Sequence, residues 1–125
     1  MLEAGVLVNQ MGAPIYWHAP PHRSSVYIPD SVELWDVVWE NRSDILGFAH
    51  SHPGNGSPWP SSEDLSTFHA WEQSLGRTLR WWITTSDCVM EFRRDSWMRG
   101  NFRCEYALDM HTYKWLGSLR SLSRF

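Results

Sequence analysis

The chain has 125 residues, of which 42% are hydrophobic and 20% are charged, and a formal net charge of -3 at pH 7. This length suits one domain, residues 1–125, and the composition excludes an intrinsically disordered chain. Two cysteines are too few for a disulfide framework, and no apolar run is long enough to cross a membrane. We expect a soluble cytoplasmic domain, since the N-terminus also lacks the features of a secretory signal.

The first part of the chain predicts a β-hairpin followed by a helix. Residues 4–8 are apolar and rich in Val and Leu, which is typical of a buried strand. Gly12 and Pro14 interrupt this run, and residues 15–18 are the expected hairpin partner. Asp30 or Ser31 is expected to cap a helix whose apolar residues repeat at helical spacing and which ends by residue 41.

The rest of the chain mixes strands and helices. Residues 45–49 predict a second buried strand, residues 53–60 a loop rich in Gly and Pro, and the residues after it a helix that Ser61 or Ser62 caps and that runs to about residue 75. Strands are expected at 79–85, 89–93 and 102–108, and a helix at 109–122. This order favours an α+β fold in which helices flank one mixed β-sheet. Adjacent Trp81 and Trp82 should point to opposite faces, and we expect one of them to be exposed at a contact surface.

The most informative segment contains two histidines one residue apart, His50 and His52, directly after a predicted strand. Side chains two residues apart on a strand point to the same face, so both imidazoles can reach one ion. Asp64 follows the loop in the first turn of the next helix, where the helix dipole favours an ionised carboxylate. Three such ligands with one open position are typical of a hydrolytic zinc site.

These residues resemble the JAMM motif of the JAB/MPN+ metalloprotease family, which reads His-x-His, a loop, then Ser-x-x-Asp. The string Gly-Phe-Ala-His-Ser-His-Pro-Gly-Asn-Gly and Trp59 in the loop are also similar to active members. The resemblance extends from Glu3 to about residue 93, and it suggests a minimal prokaryotic- or phage-type domain. It implies the cytidine-deaminase-like JAB/MPN fold and one Zn²⁺ ion held by His50, His52 and Asp64.

The resemblance also assigns two catalytic residues. Glu3 stands in the Glu-x-Gly setting, followed by aliphatic residues, that contains the family's general base. Ser61 corresponds to the serine that donates a hydrogen bond to the oxyanion of the tetrahedral intermediate. The implied reaction is hydrolysis of an isopeptide or peptide bond, typically at the C-terminus of ubiquitin or of a ubiquitin-like or sulfur-carrier protein. Such a protein or its conjugate is therefore the expected partner.

The sequence departs from the family in two places. One more residue than usual separates His52 from Ser61, so Ser62 is an alternative to Ser61 for the oxyanion. Members normally have a helix before the glutamate, whereas only Met1 and Leu2 precede Glu3 here. We expect either that the C-terminal helix covers the face on which that helix would pack, or that the natural chain begins earlier.

Other interpretations of these residues stay open. Glu33 and Glu40 are alternatives to Glu3 as the base, although they belong to a helix with a solvent face. The remaining histidines, His18, His22, His69 and His111, lack a partner at ligand spacing and are interpreted as surface or core-edge residues. A non-catalytic MPN-type binding module is one alternative function. A RadC-like DNA-associated protein is another, since the loop ends in Pro-Ser and basic residues outnumber acidic ones after residue 90.

Overall fold

Six strands and three helices make up the fold in the computed structural model, which describes residues 1–53, 57–94, 102–107 and 113–124. In chain order they are β1 (Gly5–Asn9), β2 (Pro14–His18), α1 (Val32–Glu40), β3 (Ile45–Ser51), α2 (Ser62–Leu75), β4 (Arg80–Thr84), β5 (Val89–Arg94), β6 (Phe102–Ala107) and α3 (Leu116–Ser123). No helix among these described residues combines the length and the apolar character needed to cross a membrane.

The strands form one sheet in the order β2-β1-β3-β4-β5-β6. β3 and β4 are parallel, and every other pair of neighbours is antiparallel. Parallel neighbours need a long crossover, and here α2 provides it. The expected α+β fold with a mixed sheet flanked by helices is therefore confirmed.

Helices α1 and α2 cover one face of the sheet. Leu34 of α1 and Phe68 and Trp71 of α2 pack against strand residues such as Phe48 in one buried cluster. Ser31, rather than Asp30, caps α1, because its Oγ accepts a hydrogen bond from the backbone N–H of Leu34 at 3.0 Å. The order of these elements places the β3–α2 loop, and with it the predicted metal ligands, at one edge of this layer.

Helix α3 covers the opposite face, as expected for the C-terminal helix. Leu116 and Leu119 pack in a second buried cluster with Val6, Ala49 and Trp82. The two adjacent tryptophans of β4 do point to opposite faces, since Trp81 belongs to the first cluster and Trp82 to the second. The prediction that one of them is exposed is wrong, because helices cover both faces and their exposed fractions are 0% and 1%.

Helix α3 begins later than the sequence predicted, at Leu116 instead of residue 109. Tyr113 and Trp115 precede it in a turn, where their rings stack with centroids 4.9 Å apart and both contact the indole of Trp82. The aromatic residues of this turn continue the sequence spacing of the apolar residues of α3. The sequence pattern alone therefore predicted a longer helix. Residues 109–112 of the predicted helix and residue 108 of the predicted strand lie outside the described residues.

Candidate metal centre

The two histidines of the motif lie at the end of β3 and converge. His50 is in the strand, and His52 follows it but still donates its backbone N–H to Thr84 O of the neighbouring strand at 2.9 Å. The extended backbone therefore continues to residue 52, and both imidazoles point to the same face. Their Nε2 atoms lie 3.0 Å apart.

Asp64 is brought to these nitrogens by the cap of α2. Ser61 is the N-cap residue, and its Oγ accepts a hydrogen bond from Asp64 N at 3.0 Å. In return Asp64 Oδ2 accepts one from Ser61 N at 2.9 Å, which completes a capping box. The carboxylate then contacts His50 Nε2 through Oδ1 at 3.3 Å and His52 Nε2 through Oδ2 at 3.2 Å.

The three side chains predicted to bind metal thus form a triangle, in which the two Nε2 atoms lie 3.0 Å apart and each contacts a different oxygen of Asp64, at 3.3 and 3.2 Å. Nitrogen and carboxylate ligands stand about 2.0–2.2 Å from zinc, so adjacent ligand atoms in a tetrahedron around it are about 3.3 Å apart. These contacts therefore have the spacing of neighbouring ligand atoms around one such ion, to which Asp64 can present either oxygen. The longer interval before Ser61 does not prevent this convergence, although residues 54–56 of that interval lie outside the described residues.

Ring orientation supports the same arrangement. His52 Nδ1 lies 2.6 Å from the carbonyl oxygen of Ser57, which can only accept a hydrogen bond. In a neutral ring Nδ1 must then carry the hydrogen, so Nε2 presents a lone pair to the cluster. Such a second hydrogen bond fixes the tautomer and the direction of a metal-binding imidazole.

Glu3 lies beside the two histidines. One of its carboxylate oxygens and one nitrogen of each ring lie within 4.8 Å of one another, so Glu3, His50 and His52 could hold a metal ion. The residue is only 6% exposed. Glu33 and Glu40, the alternatives for its role, are instead exposed on α1 and do not line the cavity at this site.

The backbone around Glu3 is fixed by hydrogen bonds to two other parts of the chain. Glu3 N donates to Ser24 O at 2.7 Å, and Glu3 O accepts from Arg23 Nη1 at 3.2 Å. The preceding N–H, that of Leu2, donates to Ser123 O in α3 at 3.0 Å. The segment before β1 is therefore held by the β2–α1 connection and by the C-terminal helix.

The carboxylates of the site differ in their proton affinity. Burial raises the pKa of Glu3 to about 7; the negative charges of Asp64 and Glu63 add to this effect, and His52 opposes it. Burial also works to raise the pKa of Asp64, but hydrogen bonds with His50 and His52 hold it well below its usual range. One carboxylate is therefore firmly ionised, and the other can gain or lose a proton near neutral pH.

The two histidines differ as well. Burial lowers the pKa of His50 and outweighs the hydrogen bond and the charge of Asp64. Burial acts in the same direction on His52, but hydrogen bonds to Asp64 and to Ser57 O raise its pKa overall. His50 is thus a neutral imidazole, as metal binding requires, whereas a metal ion must displace a proton from His52 at mildly acidic pH.

A cavity of about 360 Å³ opens onto this cluster. Glu3, His50, His52, Ser61 and Asp64 are part of its lining, and Ser62 is not. Most of the remaining lining is apolar and comes from α1, α2, β3, β4 and the β2–α1 connection: Val26, Tyr27, Ile28, Leu34, Phe48, Phe68, Trp71 and Trp81. The cluster therefore faces a space that can accept an organic ligand.

The remaining histidines that the structure describes are surface or core-edge residues, as interpreted from the sequence. His22 and His69 are exposed, as expected for surface residues, and His111 lies outside the described residues. His18, however, is only 3% exposed and lines the same cavity as the metal cluster. The sequence could not reveal this, because the β2–α1 connection that encloses the cavity has no regular pattern.

A profile of the family described as prokaryotic homologs of the JAB domain matches residues 4–100. The chain belongs to this family. The match covers most of the chain and includes His50, His52, Ser61 and Asp64, so the resemblance inferred from the motif is confirmed. No curated protein matches the chain. The chain thus has a JAB domain and a group of residues, Glu3, His50 and His52, that could hold a metal ion.

Proposed function

We propose that this JAB-domain protein is a zinc-dependent hydrolase that cleaves an isopeptide or peptide bond at the C-terminus of a ubiquitin-like or sulfur-carrier protein. The observation that carries the proposal is the triangle of His50, His52 and Asp64, whose edges suit one zinc ion, with the buried carboxylate of Glu3 beside it. Nitrogen and oxygen ligands in this number favour zinc among the common divalent ions.

Zinc held by these residues would polarise the scissile carbonyl and lower the pKa of a water molecule. Glu3 is suited to act as the general base, because its buried carboxylate lies beside the two histidines and could accept a proton from the attacking water and pass it to the leaving amine. Asp64 is unsuited to that role, since the histidines keep it ionised. The two carboxylates therefore have different tasks.

Ser61 is suited to stabilise the developing oxyanion. Its Oγ accepts the hydrogen bond from Asp64 N, which leaves the hydroxyl hydrogen free to be donated elsewhere. Because Ser61 lines the cavity and Ser62 does not, we propose Ser61 as the donor to the carbonyl oxygen. The same residue thus orients Asp64 through the helix cap and contacts the substrate.

The proposal is tested by the metal content and the activity of the purified protein. Zinc-loaded protein is incubated with a panel of ubiquitin-like and sulfur-carrier proteins that have C-terminal fusions, with and without a chelator. We expect cleavage of at least one fusion, abolished by the chelator and restored by zinc. His52→Ala should lose zinc, measured by elemental analysis, whereas His69→Ala, which changes an exposed histidine, should keep it.

The two alternatives predict other results. A non-catalytic binding module would bind a fusion protein without cleaving it, and a metal-free protein that also fails to take up zinc would favour that function. A DNA-associated protein would bind duplex DNA with an affinity that falls steeply as salt is raised. The metal triangle supports the hydrolase over both, since neither alternative needs it.

A further inference from the structure

His18 is a buried polar residue that lines the cavity, and it has no role in the proposed mechanism. It is the last residue of β2, is 3% exposed and does not belong to the group around Glu3, His50 and His52. A buried imidazole is costly unless its polar atoms have partners. Its position and its hydrogen bonds therefore indicate what else it contacts.

The sheet sets the distance between His18 and the metal cluster. Gly5 of β1 is paired with His18 on one side and with His50 on the other, so these residues lie at one level across three strands and point to one face. Two strand spacings separate the Cα atoms of His18 and His50, which is about 10 Å. Phe48 fills the space above Gly5, since a Cβ there would clash with its ring. An apolar floor thus connects the two histidines.

The protonation state of His18 follows from its surroundings. Burial lowers its pKa and outweighs the hydrogen bond with Pro29 O and the charge of Asp30, so the ring is neutral at pH 7. Nε2 lies 2.7 Å from Pro29 O, a carbonyl that can only accept. The hydrogen is therefore on Nε2, and Nδ1 carries a lone pair.

This lone pair has no partner within the described part of the chain. The one hydrogen bond of the His18 ring is that of Nε2, so nothing there donates to Nδ1. Every side-chain nitrogen or oxygen atom that is fully buried in the described residues has a hydrogen-bond partner. Because Nδ1 of His18 has no partner among them, it is not fully buried and retains some solvent-accessible surface. For a residue that is 3% exposed and lines the cavity, that surface faces the cavity.

We propose that His18 is a specificity-determining residue, whose Nδ1 accepts a hydrogen bond from a backbone N–H of the substrate acyl chain about three residues before the scissile bond. The separation of about 10 Å corresponds to about three residues of extended chain at about 3.3 Å each. This inference rests on the proposed function, in which the acyl chain enters the cavity as an extended C-terminal tail.

The walls beside His18 define the side chain that this residue of the tail should carry. Leu34, Phe48 and Trp71 are apolar, and Val26 and Tyr27 add exposed apolar surface to the lining. The acidic side chain that acts on His18 is that of Asp30. The apolar walls and this negative charge together favour an apolar residue in this position over an acidic one. A volume of about 360 Å³ is near the lower end of the roughly 300–1,000 Å³ that is typical of small-molecule sites, so a short tail enters and the folded part of the partner stays outside.

Two substitutions distinguish the role of Nδ1 as a hydrogen-bond acceptor from the role of Nε2, which donates to Pro29 O within the protein. His18→Gln places an amide near the position of Nε2, which retains the bond to Pro29 O but removes the acceptor at Nδ1. His18→Asn places its amide near Nδ1, which retains an acceptor there but removes the bond to Pro29 O. Comparable melting temperatures of wild type and His18→Gln would show that any loss of binding is not caused by unfolding.

The probe is a fluorescein-labelled peptide, Gly-Ala-Leu-Gly-Gly with a free C-terminus, whose binding to zinc-loaded protein is measured by fluorescence anisotropy. We expect N-methylation of its Leu to weaken binding to wild type by about fivefold to tenfold, the loss of one neutral hydrogen bond. His18→Gln should bind the two peptides with equal affinity, and that affinity should match the weak binding of the methylated peptide to wild type. His18→Asn should still bind the unmethylated peptide more tightly than the methylated one, by a smaller factor than wild type. N-methylation of the Ala serves as the control.

Equal binding of both peptides by wild type, or a preference that persists in His18→Gln, would overturn the proposal, as would failure of the unmethylated peptide to bind. Replacing Leu by Asp should weaken binding at least as much as N-methylation does; undiminished binding contradicts the apolar site. The same peptide as an aminocoumarin amide reports cleavage separately. Binding that depends on His18 without cleavage would refute the proposed hydrolase, while the contact between His18 and the C-terminal tail would stand.

Discussion

The two faces of the sheet are covered by helices in the same way but differ in what they bury. The face under α3 contains an apolar cluster of strand residues and the leucines of α3. The polar side chains buried there pair with one another: Arg120 Nε donates to Thr84 Oγ1 at 3.2 Å, and Ser51 Oγ lies 2.6 Å from Ser123 Oγ. The face under α1 and α2 has a similar apolar cluster, but at one edge two histidines and two carboxylates line a cavity. The polar groups of the α3 face are thus closed within the fold, whereas those of the other face can contact a ligand.

This difference shows how the fold can hold a costly site. Burying Glu3 and His50 opposes folding, because desolvation disfavours their charged forms. The apolar face under α3 contributes stability that offsets this cost, and it also fixes the chain that carries Glu3 through the hydrogen bond from Leu2 N to Ser123 O. Changes on the two faces should therefore have different effects.

The largest expected effect is that of Glu3→Gln on turnover. The amide cannot accept a proton from water, so we expect kcat to fall by about 10²- to 10⁴-fold. Zinc content and melting temperature should stay the same, because His50, His52 and Asp64 are the proposed ligands and the amide of Gln retains the size and an oxygen atom of the Glu3 side chain. Glu33→Gln is the matched control on the surface of α1, and full activity of Glu3→Gln would exclude Glu3 as the base.

On the opposite face, Leu119→Ala should act on stability alone. Leu119 is fully buried in the α3 cluster, and truncation of such a leucine typically costs about 2–5 kcal/mol of unfolding free energy. Chemical denaturation measures this loss, with Ser118→Ala on the exposed side of α3 as control. Zinc stoichiometry of the folded fraction should not change; an altered stoichiometry would show that the two faces are not independent.

Ser61→Ala tests the connection between helix cap and metal cluster. Loss of the cap should lower the free energy of unfolding by about 1 kcal/mol. Because the capping box also orients Asp64, zinc affinity should fall by about tenfold, as is typical when a residue supporting a ligand is removed. Ser62→Ala, next to it in the first turn, should change neither quantity, and equal effects of both substitutions would contradict the assignment.

The smallest expected effect concerns pH and His18. The pKa of His18 is lowered in the folded protein and is near 6.5 in the unfolded chain. As the pH falls below about 6.5, the unfolded chain therefore binds a proton more readily than the folded protein, and the free energy of unfolding decreases. Above that value the ring is neutral in both states, and it contributes no pH dependence. In metal-free protein, His18→Gln should lose less stability than wild type between pH 7 and pH 5, measured by denaturation; parallel pH curves would contradict a buried neutral ring.

Local patterns in the sequence determined most of the fold and the core of the candidate site. The alternation of side chains along a strand places His50 and His52 on one face, and Ser61 and Asp64 three residues apart form a capping box. The strands and the first two helices follow from apolar periodicity and from their caps. These features depend on neighbours within a few residues, which is why the sequence alone predicts them.

Only the tertiary structure decided how distant segments modify these local features. It buries both Trp81 and Trp82, begins α3 at Leu116, and makes His18 part of the cavity wall. It also raises the pKa of Glu3 by enclosing it between α2 and the segment after β2. Burial and desolvation depend on which segments pack together across the whole chain, and no pattern within a single segment contains that information.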